Sequence, residues 1–208
     1  MARPRAATYE AHREKILAAA AHLFAVKGYT AASMAEIASN SGVSKAGLYH
    51  YFGDKQSILE EIALSHVQWL ESLVASVEEQ SPDPQQRLRL LLERFMQAYT
   101  GAQHAHRVLT EDVKFLDAAA KARVVAAQRR VVNAFGLAIG ALRSDLPQDM
   151  HKPIAMLLFG MINWTYIWLK PGGAWTHEDL APLVTDLFLG GLPAVEPTHR
   201  LATSGVTT

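Results

Sequence analysis

Residues 33–55, SMAEIASNSGVSKAGLYHYFGDK, constrain the fold of this chain more than any other stretch. Ser33 followed by Glu36 is a capping box. The Ser33 hydroxyl accepts from a free amide of the first turn, and the Glu36 carboxylate reaches back to the Ser33 amide. A short helix therefore starts here, with Ile37 and Ala38 on its apolar face. Asn40-Ser41-Gly42 ends it, because glycine tolerates the left-handed backbone of a helix stop. Ser44 is a second N-cap and opens another short helix through Tyr49, followed by His50-Tyr51-Phe52. Two short helices joined by a tight glycine turn make a helix-turn-helix, the unit that sets its second helix in the DNA major groove.

The flanking sequence reads as helix throughout, giving an all-α fold of about nine helices. Residues 1–8 form a basic arm whose Arg3 and Arg5 are placed to touch phosphates or to remain a solvated tail. From Tyr9 to Lys27, Ile16, Leu17, Ala20, Leu23 and Phe24 recur at helical spacing. Asp54 caps a long helix to Gln80, and Ser81-Pro-Asp-Pro84 breaks it. Five further helices are expected over 85–103, 105–117, 119–144, 149–169 and 177–190. The last is signalled by Thr176 with Asp179 and by Leu180, Leu183, Val184, Leu187 and Phe188. Gly136 and Gly140 predict a close helix crossing. Residues after Pro193 read as a flexible tail.

The flanks Gly28-Tyr29, Ile37-Ala38, Gly42-Val43-Ser44-Lys45, Leu48-Tyr49-His50-Tyr51-Phe52 and Asp54-Lys55 resemble the N-terminal domain of the tetracycline-repressor (TetR) family of bacterial transcription regulators. Ala32 and Gly47 depart from the usual pattern, which favours Thr at the first and Thr or Ser at the second. The resemblance implies a DNA-binding head over 1–53, a ligand-binding and dimerisation body over 54–192, and a tail over 193–208. It also implies a homodimer on a palindromic operator. Lys45 and Tyr49 lead the expected DNA contacts, with Ser33, Ser44, Ala46, Gly47 and His50 beside them. Lys55 is expected to hold a phosphate at its helix N-terminus.

Charge supports a DNA-reading head on a neutral body. The chain is formally neutral, but residues 1–55 carry +3 and the remainder −3. The chain has no cysteine, which excludes disulfides, thiolate catalysis and cysteine zinc sites. No nucleophile elbow, Walker loop, dinucleotide fingerprint or zinc-protease motif occurs, so no enzyme apparatus and no cofactor is expected. His104-Ala-His106 near Glu111 lacks a third metal ligand at a recognised spacing. The N-terminus lacks an apolar signal core, which points to the cytoplasm.

Ile154–Leu169 is the most apolar run. At about 1.5 Å per residue it spans roughly 24 Å, short of the roughly 30 Å hydrocarbon core, so the expectation is no membrane span. A helix apolar nearly all round needs cover on every side, here a partner subunit and a core or cavity. Asn163, Trp164, Tyr166 and Trp168 in this run, with Phe95, Met96, Tyr99, Phe115 and Phe135 elsewhere, are either plain core or the walls of an apolar ligand pocket. Arg130 stands among basic residues that either clamp phosphates or are solvated charge. Residues 163–192 also resemble the C-terminal part of TetR-type regulators that respond to acyl-coenzyme A thioesters of fatty-acid, steroid or aromatic-acid degradation. The expected effector is therefore a hydrophobic small molecule such as an acyl-CoA. The alternatives are a free hydrophobic compound or drug controlling efflux, a ligand-independent architectural DNA-binding protein, and a helical enzyme.

Overall fold

The computed structural model describes residues 3–81, 83–170 and 172–197, with side chains from Thr8 onward. Among them every regular element is helical: α1 (Arg3–Lys27), α2 (Met34–Ser41), α3 (Lys45–Tyr51), α4 (Lys55–Gln80), α5 (Pro84–Gly101), α6 (Gln103–Glu111), a 3-10 turn (Val113–Phe115), α7 (Ala118–Leu142), α8 (Gln148–Asn163), α9 (Thr165–Trp168), α10 (His177–Gly191) and a last 3-10 turn (Leu192–Ala194). The all-α expectation holds.

Local chemistry sets the head. Ser33 Oγ accepts from the Glu36 amide while Glu36 Oε2 accepts from the Ser33 amide at 2.9 Å, closing the capping box. Gly42 has φ 73°, and the Val43 amide returns to the Ala38 carbonyl at 3.1 Å, the bond that finishes a helix in this geometry. Ser44 then accepts from the Gly47 amide at 3.0 Å and starts α3. Ile16, Ala20 and Phe24 of α1, Ile37 of α2 and Leu48 of α3 form the core between these three helices.

α4 has 26 residues and is therefore about 39 Å long, enough to run from the head through the body. Its buried stripe Ile58, Leu59, Ile62, Val67, Leu70, Val74 and Val77 meets α1 near one end and α5, α6 and α7 further along. In the body, α5 packs on α10 and α7 on α8. Phe95, Phe135 and Phe159 lock α5, α7 and α8 together edge to face, the first two rings 4.9 Å apart and the last two also 4.9 Å. At the α7–α8 crossing, a Cβ on Gly140 would lie 2.3 Å from the His151 ring.

Four boundaries differ from the sequence reading. Residues 3–8 are the first turns of α1, not an arm. Pro4 is tolerated in a first turn, and nothing between it and Tyr9 breaks the helix. Met1, Ala2 and the side chains of Arg3 and Arg5 lie outside the described residues. The 105–117 helix stops at Glu111, because Val113 and Leu116 tuck into the core and Asp117 begins anew as the cap of α7, accepting from the Ala120 amide at 2.8 Å. The 149–169 helix breaks after Asn163, where the Thr165 hydroxyl turns back to the Ile162 carbonyl at 2.6 Å. The expected tail begins pinned, with the Arg143 guanidinium donating to the Leu192 and Val195 carbonyls. Residues 198–208, Pro82 and Pro171 lie outside the described residues.

Candidate nucleic-acid interface and cavity

α3 presents Ser44, Lys45, Ala46, Tyr49 and His50 to solvent, while Leu48 faces the core. Tyr49 is 47% exposed, and His50 leans edge-on against Tyr9 at 6.3 Å. Gly47 sits inside the capped turn. A Cβ there would approach Ser44 Oγ to 3.1 Å and press on the cap itself. Ser33 is exposed at the start of α2, its hydroxyl committed to Glu36. Lys27 also pairs with Glu36, and together Lys27 and Ser33 hold that carboxyl at about 2. Tyr51 and Phe52 point inward: Tyr51 stacks near Tyr9 at 4.7 Å, and Arg13 lies over the Phe52 ring.

Lys55 corrects the expectation of a phosphate contact. Its ammonium donates to the carbonyls of Tyr29 at 2.8 Å, Thr30 at 3.3 Å and Ala32 at 2.7 Å, and lies over the Tyr29 ring. All three donors are taken by the loop between α1 and α2, and burial lowers its pKa. The side chain fastens the head.

The body holds a half-open cavity of about 320 Å³ between α4, α5, α6, α7 and α8. Val67, Leu70, Leu109, Val132, Met156 and Phe159 give it apolar walls. Tyr99, His106 and Asn163 are polar groups set among them, and exposed Arg129 and Lys152 supply cations to the lining. Tyr99 joins two of these groups, since its hydroxyl donates to Asn163 Oδ1 at 2.8 Å and its ring stacks on the His106 imidazole at 3.8 Å. Burial raises the Tyr99 pKa, so the hydroxyl stays a donor.

Of the pocket residues expected from sequence, Tyr99 and Asn163 line this cavity and the others do not. Phe95, Met96 and Phe135 are fully buried core. Phe115 stacks on Tyr29 at 5.3 Å, between body and head, where its carbonyl accepts from Gln56 at 2.7 Å. Arg130 points away and pairs with Glu71, leaving Arg129, one position earlier on α7, at the cavity. Trp164 and Trp168 follow the break in the 149–169 run and are 62% and 50% exposed. His106, which also lines the cavity, was weighed in the sequence only as a metal ligand. In the structure His104 turns to His22 of α1 and His106 to His66 of α4, each pair 3.4 Å apart.

The family model described as "Bacterial regulatory proteins, tetR family" matches residues 16–62, and "Tetracyclin repressor-like, C-terminal domain" matches residues 81–192, more than half of the chain. The chain belongs to the tetR family. Members of this family regulate transcription, which agrees with the helix-turn-helix of α2 and α3. The transcriptional repressor KstR2 of Mycolicibacterium smegmatis is 25% identical over 194 residues, covering 86% of this chain and 90% of that one. The transcriptional activator FasR of the same organism is 31% identical, covering 94% and 83%. Among solved structures, a TetR-family regulator from Bordetella parapertussis superposes with TM-score 0.81 at 31% identity, covering 89% and 98%. AibR in complex with isovaleryl coenzyme A and operator DNA gives TM-score 0.74 at 29% identity, covering 86% and 96%. No helix among the described residues is long and apolar enough to cross a membrane.

Proposed function

We propose that this protein is a cytoplasmic homodimeric repressor whose head, residues 1–53, holds a palindromic operator and whose body, residues 54–192, releases it on binding a hydrophobic small molecule. An acyl-CoA thioester fits best. The observation that carries this reading is the double duty of α6. One side gives His106, Leu109 and Thr110 to the cavity, while His104 meets His22 of α1. Phe115, just beyond α6, stacks on Tyr29 of the head. A ligand that shifts α6 must therefore shift the seat of the helix-turn-helix. The release it produces equals its differential affinity for the two states, typically about 5–150-fold.

An apolar cavity bordered by Arg129 and Lys152 suits an acyl group whose remaining part carries phosphates. The AibR structure, with isovaleryl coenzyme A and operator DNA, supports a thioester effector for a chain this similar. Ser44, Lys45, Ala46, Gly47, Tyr49 and His50 form the DNA-reading surface, with Lys45 and Tyr49 foremost. Dimerisation uses the apolar face that α8 and α10 leave uncovered, where Leu157 is 70%, Leu187 67% and Leu183 46% exposed. Two recognition helices then reach successive major grooves.

Fluorescence anisotropy on DNA from the region upstream of its own gene, with and without short, long and aromatic acyl-CoAs, tests the reading. Release by one class at micromolar concentration is the expected result. Tight binding unaffected by every thioester would overturn the acyl-CoA effector and redirect the search to free hydrophobic compounds. Failure of Lys45→Ala and Tyr49→Ala to weaken binding would overturn the reading surface.

A further inference from the structure

The half-open cavity has an exposed rim and a sealed floor. Arg129, Asn133, Lys152 and Met156 of its lining are exposed, whereas Val67, Leu70, Tyr99 and Leu109 are buried. Beyond Tyr99 the core is filled: the Phe95 ring lies 6.3 Å from the Tyr99 ring and 4.9 Å from that of Phe135, and neither phenylalanine reaches the cavity. The ends of the cleft between α7 and α8 are fixed as well. His151, next to Lys152, is packed against Gly136 and Gly140, and Asn163 accepts from the buried Tyr99 hydroxyl at 2.8 Å. The lining runs along α8 from Lys152 to Asn163, a rise of about 16 Å, and along α7 from Val125 to Asn133, about 12 Å. On the other side α5 gives Tyr99 alone, and α4 only Val67 and Leu70, about 4.5 Å apart along the helix. The chamber therefore tapers inward, and among the described residues no passage lets a chain continue past its floor.

Volume sets a ceiling on what this chamber can bury. A cavity of about 150 Å³ lined by leucine, isoleucine and phenylalanine side chains holds one benzene. By the same measure the 320 Å³ found here hold about two such rings, or roughly twelve carbon atoms. We propose that the buried part of the effector has about eight to twelve carbon atoms, as a medium-length chain or as one or two rings, and that chains of about sixteen carbons and four-ring skeletons are excluded. The proposal rests on the effector-cavity reading but not on the effector's being a coenzyme A thioester. Each methylene that leaves water for the cavity improves binding about fourfold while space remains. A longer group leaves its last carbons in water at the rim or forces packed helices apart, and gains nothing further.

Two chain-length series test this on the full-length protein. The even-numbered straight-chain acyl-CoAs from butanoyl to hexadecanoyl are read by release of operator DNA in the anisotropy assay. The matching free alkanoic acids are read by the rise in Tm. In each series affinity should climb about fourfold per methylene and stop climbing at about eight to twelve carbons. Val132→Phe narrows the half-buried wall and should move this break down by about two carbons, whereas Phe159→Ala enlarges the chamber and should move it up by about as much. Should Phe159→Ala fail to fold, Val132→Phe carries the comparison alone.

An affinity that keeps climbing through hexadecanoyl, a break below about eight carbons, or a break that stays in place in the folded variants overturns the size ceiling. A break in the acid series without release by any CoA ester keeps the ceiling and removes the thioester effector. No response to either series overturns both.

Discussion

Lowering the pH from about 7 to about 5 asks the unfolded chain to take up two protons that the folded chain refuses at His66 and His106. Burial pushes the His66 imidazole down from 6.5 to about 4. It pushes His106 down to about 3, with the neighbouring His66 and His177 adding to the effect. Both are bases with depressed folded values, so the unfolded state binds more protons below about pH 6.5 and stability falls as pH falls. The full stability is present above that pH and is lost progressively down to the folded values. Each histidine contributes a slope of up to about 1.4 kcal/mol per pH unit, and at about pH 5 each has cost about 2 kcal/mol. Urea melts at a series of pH values measure this slope in the wild type and in His66→Leu/His106→Phe. The variant should lose about two protons' worth of slope between about pH 6 and pH 4.5. Equal slopes in both proteins would refute the burial of the pair as neutral rings.

Three further outcomes follow from particular contacts. Lys55→Met removes the donor to three carbonyls and should destabilise the protein by about 1–2 kcal/mol, read by urea unfolding. The salt slope of operator binding should stay unchanged, whereas loss of a phosphate contact would reduce it by about one. Phe115→Ala removes the stack on Tyr29, so effector-free operator affinity should persist while the effector concentration for half-release rises severalfold in the anisotropy assay. Gly140→Ala drives a methyl into His151 and should cost about 1–3 kcal/mol. Gly136→Ala, whose Cβ meets His151 backbone at an ordinary 3.7 Å, should instead gain a fraction of the roughly 1 kcal/mol difference in helix propensity, both read by thermal unfolding.

The head was legible because its signals are local. Ser33 with Glu36, Gly42, Ser44, and Asp54 with Ser57 each make their bonds within a few residues, so a short stretch of sequence contains both partners. The capped start of α10 at Thr176 and Asp179 was legible for the same reason. The break at Asn163 and the early stop of α6 were not. At the first the Thr165 hydroxyl turns back to the Ile162 carbonyl and Asn163 answers Tyr99 of α5, a partner distant in sequence; the second depends on the core that receives Val113 and Leu116.

The sequence by itself determined an all-helical chain, its helix-turn-helix and the outward side of α3, because caps, breakers and the helical period act over one or two turns. Tertiary structure decided where the cavity lies and who lines it. A cavity is the space left between five helices whose contacts are distant in sequence, and periodicity names a face without naming its neighbour. Arg129 and Arg130 are adjacent in sequence, but successive positions are rotated about 100° around a helix, enough to put one at the cavity and the other on Glu71. Phe95, Phe135 and Tyr99 are all buried, but the packing of α7 and α8 seals the first two while Tyr99, one turn along α5, also borders the cavity.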